Sequence, residues 1–167
     1  MTRIDVTRLT LRDATSADLE ALLPIWYDGW QDAHASIVPA GLRRMRTMAN
    51  LRERLPAMLP RARVAEVDGR PAGFCVLKGD ELDQLYVSAA ARGTGVAAAL
   101  IADAEARLRD AGVAVAWLAC AIGNHRAARF YEKSGWKRAS EVTIQVVTPA
   151  WLLPLDVWRY EKDLRAG

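Results

Sequence analysis

The chain has 167 residues, and its hydrophobic share of 51% and charged share of 26% are those of a folded domain with a proper core. The formal net charge of +3 suits an anionic ligand but is too small to require nucleic acid. No apolar run approaches the length of a membrane span, and the charged segment 1–13 is unlike a secretory signal. We therefore expect a cytoplasmic protein with neither a membrane nor a nucleic-acid partner.

The cysteines and histidines give no sign of a disulfide framework or a metal site. Cys75 and Cys120 lie far apart, each inside an apolar run, so we expect both to be small core residues. Only two histidines, His34 and His125, are available as further ligands. No bound metal is predicted.

The first third of the chain predicts one strand and two helices. Residues 8–12 alternate leucines with polar residues, which is the pattern of a strand. After the capping sequence 15–18, apolar residues recur at helical spacing over 19–34. A second amphipathic helix is predicted over 42–59, and its arginines, which no aromatic residues interleave, indicate a solvated face rather than a nucleic-acid surface.

The middle of the chain predicts three antiparallel strands. Residues 63–67 and 71–78 form a hairpin whose turn is Asp68-Gly69. Gly79-Asp80 then turns the chain into a strand that ends in Leu85-Tyr86-Val87, residue types that suit a half-buried pleated surface.

A glycine loop, Arg92-Gly93-Thr94-Gly95-Val96-Ala97, joins this strand to a helix predicted over 97–110. Glycines leave backbone amides uncovered, and a helix begins with free N–H groups and a positive dipole end, so the loop suits a phosphate. Arg92 adds a cation. In the simpler interpretation, the glycines serve only a tight strand-to-helix turn, and a lone glycine pair would favour that interpretation.

Two nucleotide-binding patterns fit this loop poorly. Residues 93–98 match G-x-G-x-x-A, but residues 88–91 intervene between the strand and the loop, and 113–121 contains no acid to hold a ribose. A mononucleotide P-loop needs a lysine after its second glycine, and none follows Gly95.

The last third of the chain predicts strands around one short helix. The continuous apolar run 113–121 is typical of a strand buried on both faces beside a parallel neighbour. Asn124 is placed to cap a helix that Gly135 ends. Residues 142–147 and 155–164 are predicted as strands, with a loop between them.

Two motifs in this order resemble the GNAT superfamily of N-acetyltransferases. Arg92, Gly95 and Ala97 match [QR]-x-x-G-x-[GA], the acetyl-CoA-binding motif of that family. Residues 124–136 resemble its downstream block, N-x-x-A-x-x-F-Y-x-x-x-G-[FW], and 85–87 resembles its central strand. Together the two motifs are far more specific than the glycine loop alone.

The resemblance covers residues 63–136 well and the two ends more loosely. It implies a single α/β domain over 1–167, with a mixed, mostly antiparallel sheet of about seven strands, splayed at its centre around acetyl-CoA, and helices on both faces. It also implies direct transfer of the acetyl group to the primary amine of a small molecule or peptide within a ternary complex. A non-catalytic acyl-CoA-binding sensor is the alternative.

The chemistry of acyl transfer needs a base for the amine, a donor to the oxyanion and a proton for the departing thiolate. The resemblance assigns the proton to Tyr131, since a phenol keeps its proton at neutral pH. Glu81 matches the strand glutamate that serves as base in some members, with Asp83 or a water as alternatives. A backbone amide near Val87 is expected to meet the oxyanion. The alternatives without a catalytic role are that Tyr131 is a buried aromatic of the core and that Glu81 is a solvated residue at the end of a hairpin.

Two sets of contact residues follow from the resemblance. The expected acetyl-CoA contacts are Leu85, Tyr86, Val87, Arg92, Gly93, Thr94, Gly95, Val96, Ala97, Asn124 and Tyr131. The expected acceptor contacts are Trp30, His34 and Glu81, although core packing between helices would also explain Trp30.

The placement of the base and of the acceptor site depends on two weaker inferences. Glu81 and Asp83 lie two apart, so both are expected on the strand face of Leu85 and Val87, towards the thioester. The segment 147–155 has no counterpart in the family pattern. It is left open whether this segment walls the pocket, caps it or forms a homodimer contact.

Overall fold

The computed structural model describes residues 8–148 and 151–165, which form seven strands and five α-helices. In chain order these are β1 (Leu9–Asp13), α1 (Leu19–His34), α2 (Ala40–Met45), α3 (Met48–Met58), β2 (Ala62–Val67), β3 (Arg70–Lys78), β4 (Glu81–Val87), α4 (Val96–Asp110), β5 (Val115–Ala121), α5 (His125–Lys133), β6 (Lys137–Val147) and β7 (Leu152–Asp163). The expectation about segment 1–13 falls largely on residues 1–7, which lie outside the described residues. The expected mixed sheet of about seven strands is confirmed.

The sheet is open at its centre. Its strands follow the order β1-β2-β3-β4-β5-β7-β6, and every neighbouring pair is antiparallel except β4 and β5. That parallel pair meets only where Glu81 lies opposite Trp117, whose amide donates a 3.2 Å hydrogen bond to the carbonyl oxygen of Asp80. The rest of β4 and β5 does not pair, which leaves a gap between two halves of the sheet.

Each face of the sheet carries its own hydrophobic core, so helices cover both faces as expected. On one face, α1 and α3 pack against β2 and β3, and the buried side chains include Leu22, Trp26, Leu51, Leu55, Phe74 and Val76. On the other face, α4 and α5 pack against β3, β5 and β7, and the buried side chains include Cys75, Leu100, Leu108, Leu118, Ala128 and Tyr160. Both cysteines are free and buried, as the sequence predicts.

Two buried carboxylates tie helices to the sheet. Asp18, directly before α1, accepts hydrogen bonds of 2.7 and 2.8 Å from the guanidinium of Arg12 on β1. Glu105 on α4 accepts a 3.2 Å hydrogen bond from the indole of Trp136 and pairs with Lys162 of β7. Because both carboxylates have partners inside the protein, their burial leaves no charge unsatisfied.

The prediction of one helix over 42–59 is wrong. The structure divides this segment into α2 and α3, because Arg46 has a non-helical ψ of 62°. Thr47 then begins a new helix, with its hydroxyl oxygen accepting a 3.1 Å hydrogen bond from the amide of Asn50. Such an N-cap satisfies an N–H group that would otherwise lack a partner, so the break costs little.

The predicted loop over 148–154 is shorter than expected. Residues 152–154 belong to β7, with Val147 opposite Leu152 and Gln145 opposite Pro154. Pro154 is tolerated in a strand because β7 extends beyond the end of β5 there and has a neighbour on one side only. Residues 149–150, at the turn, lie outside the described residues.

The prediction that β5 is buried on both faces is only half correct. Ala116, Leu118 and Cys120 are buried, whereas the alternate residues Val115 and Trp117 are partly exposed. Among the described elements, no helix packs closely against the second face of β5.

Helix α1 approaches β4 at a glycine. A Cβ atom on Gly29 would lie 2.6 Å from Cδ1 of Tyr86, which is closer than two carbon atoms can pack. The Tyr86 ring also stacks with Phe74, at a centroid distance of 6.1 Å. Gly29 therefore sets how closely α1 lies against the strand beside the gap.

We expect Gly29→Ala to lower the free energy of unfolding by about 1–3 kcal/mol, because the added methyl group overpacks the contact with Tyr86. Urea denaturation measures the change. Gly41→Ala is the matched control, since a Cβ on this glycine of α2 meets its nearest atom only at 4.0 Å. The control is expected to keep or raise stability by up to about 1 kcal/mol. Equal stability of both variants would show that the Tyr86 ring moves aside freely.

Candidate active site

The glycine loop lies between the end of β4 and the start of α4. Gly93 has φ of 76°, and Gly95, at the N-cap position of α4, has φ of 92°. L-residues rarely adopt these angles, so the turn requires glycine. The hydroxyl of Thr94 donates to the carbonyl oxygen of Ala91, which folds the loop back on itself.

Backbone amides of this loop are free to bind an anion. Within residues 8–148 and 151–165, no hydrogen-bond acceptor is found for the amides of Gly93, Gly95, Val96, Ala97 and Ala98, whereas Ala99 already donates to Gly95 at 3.0 Å. Unpaired N–H groups at a helix start, together with the helix dipole, form a site for phosphate.

Two arginines border the loop. Arg92 forms a 2.9 Å ion pair with Asp32 on α1, so the cation expected at the loop is held towards that helix. Arg126, on α5, is exposed and was missed by sequence reasoning, because nothing in the downstream motif marks that position as charged. Both residues line the cavity beside the loop.

This first cavity has a volume of about 500 Å³ and runs along the gap between β4 and β5. Nine of the eleven expected acetyl-CoA contacts line it: Leu85, Tyr86, Val87, Arg92, Gly93, Gly95, Ala97, Asn124 and Tyr131. Thr94 and Val96 do not, because the Thr94 hydroxyl is turned to Ala91 and the Val96 side chain is buried in the core. Asn124 caps α5, with its side-chain oxygen accepting a 3.3 Å hydrogen bond from the amide of Ala127.

The edge of β4 presents backbone groups to the first cavity. The amide of Ser88 donates a 2.8 Å hydrogen bond to the carbonyl oxygen of Ala72, so this register faces β3. In an antiparallel ladder the residues that face one neighbour recur every second position. The amides of Leu85 and Val87 therefore point away from β3, into the gap.

Tyr131 lies on α5 among other aromatic rings. Its ring centroid is 5.5 Å from Phe130, 6.1 Å from Tyr160 and 6.4 Å from Trp136. Burial raises the pKa of Tyr131 above its usual range, so the phenol is protonated at neutral pH. No hydrogen bond occupies its hydroxyl within the described part of the chain, and the side chain lines the first cavity.

An extra residue interrupts the pairing of β4 with β3. Val76 lies opposite Gln84, but its neighbour Leu77 lies opposite Leu82, which leaves Asp83 without a partner. This is a β-bulge, and one extra residue reverses which side of the sheet each following side chain faces.

Because of this bulge, Glu81 lies on a different face of the sheet from the one that the sequence predicts. Glu81 lies opposite Lys78 and so shares the sheet face of Tyr86, on the side of α1 and α3. Leu85 and Val87 pack instead on the side of α4. The expectation that Glu81 shares the face of Leu85 and Val87 is therefore wrong.

A second cavity of about 600 Å³ lies on the side of α1 and α3. Its apolar lining includes Trp26, Trp30, Val38, Leu42, Ile144, Val146, Leu155 and Val157. Its charged lining is Arg46, Glu53, Arg54, Lys78, Glu81 and Asp83. Val147 and Thr148 also line it, so residues at both ends of segment 147–155, with Leu155, contribute to the wall of this cavity.

The two cavities meet at the gap in the sheet. Their shared lining residues are His34, Asp83, Gln84, Tyr86, Ala119 and Ala121. All three expected acceptor contacts, Trp30, His34 and Glu81, line the second cavity. The structure thus brings the expected acceptor residues together in the second cavity and nine of the expected acetyl-CoA contacts together in the first, with His34 and Tyr86 lining both.

Burial changes the pKa values of two residues in the second cavity. Burial, followed by the negative charge of Asp83, raises the pKa of Glu81 to about 7. Burial also lowers the pKa of His34, whose Nδ1 lies 3.2 Å from the carbonyl oxygen of Trp30. The imidazole is therefore neutral at pH 7, whereas Glu81 is divided between its two protonation states.

The arginines of 42–59 do not all form a solvated face, as the sequence had indicated. Arg46 is only 5% exposed, and Arg54 is partly buried with its guanidinium carbon 5.1 Å from the ring centre of Trp26. Five arginines stand in this segment, and only the break between α2 and α3 turns Arg46 inwards. A sequence signal for that break exists in Thr47, a residue type that favours N-caps.

Comparison with known proteins identifies the family. Residues 19–136 match the family described as "Acetyltransferase (GNAT) family". The chain belongs to this family. Uncharacterized N-acetyltransferases of Mycobacterium tuberculosis and Mycobacterium bovis are 39% identical to this GNAT protein over 108 residues, which are 62% of the chain and 67% of each relative.

Solved structures share the fold. A GCN5-related N-acetyltransferase of Rhodopseudomonas palustris matches with a TM-score of 0.73 and 22% identity, over 92% of this chain and 94% of that one. The PaiA N-acetyltransferase of Thermoplasma acidophilum, solved in complex with coenzyme A, matches with a TM-score of 0.67 and 18% identity, over 93% and 98%. At these identities the likeness concerns the fold alone.

Family membership makes this GNAT protein an acyltransferase, and acetyl-CoA is the cosubstrate of the family. In the ranges that the structure describes, no helix combines the length and apolar character that a membrane crossing needs. No cluster of three or more potential metal ligands is found among those same residues.

The residues of the first cavity fit acetyl-CoA. The glycine loop contributes free backbone amides and the Arg92 side chain, which suit the phosphate groups of the coenzyme. The amides of Leu85 and Val87 present an unpaired strand edge, which suits the amide-containing arm that carries the acetyl group.

We expect Gly95→Ala to weaken coenzyme A binding, because a Cβ disfavours the left-handed turn that aims the loop amides at one point. Gly69→Ala, in the β2–β3 turn, is the matched control, since Gly69 also has positive φ and no atom near its missing Cβ. Both variants should lose about 1–2 kcal/mol of stability, measured by urea denaturation, and only Gly95→Ala should bind coenzyme A more weakly in calorimetry. Equal affinities would contradict a role of the loop in binding.

Proposed function

We propose that this GNAT enzyme transfers an acetyl group from acetyl-CoA, bound in the first cavity, to a primary amine bound in the second. Attack is direct, with both substrates bound. The observation that carries the proposal is the junction of the two cavities at the unpaired edge of β4, with Tyr131 on one side and Glu81 on the other. Release of free thiol from acetyl-CoA across a panel of amines tests it.

The first task of the chain is to hold the coenzyme. The amides of residues 93 and 95–98, with Arg92 and Arg126, bind its phosphates, and the edge of β4 pairs with its arm. Acetyl-CoA, when bound, supplies an acetyl group activated as a thioester. Binding at the strand edge orients that group towards the junction, and holding two reactants in a fixed geometry lowers the barrier.

The second task is to deprotonate the amine, and Glu81 is the proposed base. Its pKa of about 7 matches the operating pH, which is where a general base is most effective. Leu85 is four residues further along β4, about 13 Å away at about 3.3 Å per residue. Glu81 therefore receives the proton through water, and Asp83, on the bulge between them, is the competing base.

The third task is to stabilise charge near the reacting carbonyl. The amide of Leu85 or Val87 donates to the oxygen on which negative charge develops, because both amides point into the gap. Such donors cost no reorganisation, since the sheet already fixes their direction.

The last task is to protonate the departing thiolate, and Tyr131 is the proposed acid. Its hydroxyl proton is available because the raised pKa keeps the phenol neutral. Water from the open end of the cavity then restores the proton.

We also infer a single domain, a cytoplasmic location and no nucleic-acid partner. A homodimer contact is supported by exposed apolar side chains at the β6–β7 turn, namely Val147, Trp151 and Leu152.

We expect Tyr131→Phe to lower kcat by about 100-fold, because the thiolate then departs without a positioned proton donor. The dissociation constant for coenzyme A should change little, since the aromatic ring is retained. Steady-state kinetics and calorimetry measure the two quantities.

Tyr27→Phe is the matched control for this prediction, because it removes a phenol hydroxyl from α1 that lines neither cavity. Its kcat should equal that of the wild type. A Tyr131→Phe enzyme with unchanged kcat would remove the proposed acid.

We expect kcat/KM to rise with pH through about 7, because Glu81 must lose its proton before it accepts one from the amine. Glu81→Gln should lower kcat/KM at pH 8 by about 100-fold and abolish the rise near pH 7. The measurement is a pH profile with one acceptor amine.

Asp83→Asn is the comparison variant, since Asp83 lines the same cavity two residues away. Its profile should keep the rise, shifted to lower pH, because the loss of a neighbouring negative charge makes ionisation of Glu81 easier. A profile flattened by Asp83→Asn and unchanged in Glu81→Gln would assign the base to Asp83.

A further inference from the structure

Arg46 is a buried cation that points into the second cavity. It stands at the break between α2 and α3, is 5% exposed, and lines the cavity. One terminal nitrogen of its guanidinium donates a 3.2 Å hydrogen bond to the side-chain oxygen of Asn50. Across the described residues, no carboxylate lies within ion-pair distance of its guanidinium.

This arrangement is costly unless a ligand completes it. Burial lowers the pKa of Arg46 to about 10, so the side chain still carries its charge at neutral pH. A buried charge without an opposite partner destabilises the folded protein, and natural structures keep such groups where they have a function.

The other charged residues around the cavity do not compensate Arg46. Arg54 lies over the Trp26 ring, where burial lowers its pKa and the nearby negative charge of Asp83 raises it. Glu53 and Lys78 are exposed at the rim, with opposite charges. None of the three acidic residues of the lining, Glu53, Glu81 and Asp83, forms an ion pair with Arg46 within the described ranges. The charge of Arg46 therefore remains to be matched by a ligand.

The remaining lining limits the chemistry of that ligand. Trp30, Val38, Leu42 and Leu155 offer apolar surface, so they favour a ligand with an aliphatic or aromatic body. The planar fork of a guanidinium binds a carboxylate through two parallel hydrogen bonds. A single unmatched cation suits the single charge of a carboxylate better than the double charge of a phosphate.

We propose that the acceptor amine of this enzyme carries a carboxylate, which Arg46 binds in the second cavity while the amino group reaches the junction with the first. This inference rests on the proposed function. The acceptor is thus an amino acid or a short peptide with a free carboxylate, and a plain alkylamine is a poor substrate.

The test compares amines with and without the carboxylate in a thiol-release assay. The matched pairs are L-phenylalanine with phenethylamine, L-leucine with 3-methylbutylamine, and 6-aminohexanoate with hexylamine, which covers two spacings between the charges. In at least one pair, kcat/KM should be about 10- to 100-fold higher for the carboxylate, the value of one hydrogen-bonded charge pair. 2-Aminoethyl phosphate, compared with β-alanine, tests the choice of anion.

The variant Arg46→Gln should lose this preference, so that both members of a pair react at the rate of the plain amine. Arg44→Gln is the matched control, because Arg44 is an exposed arginine of the adjacent helix and lines neither cavity. Coenzyme A affinity, which depends on the first cavity, should be the same in both variants and so verifies that each one is folded. Arg46→Lys, which keeps the charge without the fork, should retain a smaller preference and serves if Arg46→Gln does not fold.

The outcomes separate the two proposals. Equal rates within every pair, or a preference that survives in Arg46→Gln, would overturn the role of Arg46 while leaving the acetyltransferase activity established. A higher kcat/KM for 2-aminoethyl phosphate than for β-alanine would overturn the choice of carboxylate. Absence of thiol release with every amine, despite coenzyme A binding, would overturn the proposed function and this inference with it.

Discussion

The single pairing of β4 with β5 is the constraint on which both cavities depend. Glu81 opposite Trp117 holds the halves of the sheet together at one end, and beyond it the strands leave backbone groups without partners inside the protein. Such groups cost free energy unless water or a ligand satisfies them. The gap persists because each half is fixed by its own helices and core, so closing it would require moving α1 or α4. The opening is therefore a property of the whole fold.

The features that could be predicted from the sequence are those with a local physical cause. The roles of Gly93 and Gly95 could be predicted because a left-handed turn before a helix needs glycine. The role of Asn124 could be predicted because an N-cap needs a short polar side chain. The Asp68-Gly69 hairpin turn belongs to the same class. These signals located the loop, the strand before it and the helix that carries Tyr131.

The features that could not be predicted depend on contacts between distant segments. The bulge at Asp83 depends on the register of β4 against β3, and no residue type marks it in the sequence. The sheet face on which Glu81 lies could therefore not be predicted. Arg46 is the same residue type as its exposed neighbours, and it is buried because the chain breaks there between α2 and α3. The acceptor site is thus harder to predict from the sequence than the coenzyme site, because tertiary packing rather than a local motif positions its residues.

The contact between Gly29 and Tyr86 also bears on how this chain varies during evolution. No side chain larger than a hydrogen atom fits at position 29 while the ring stays in place, so the identities of two positions far apart in the sequence are linked. A smaller residue at 86 would remove that restriction and leave room for alanine at 29. Orthologues should therefore exchange these two residues together, and a pairwise covariation between them would report the spacing of α1 from β4.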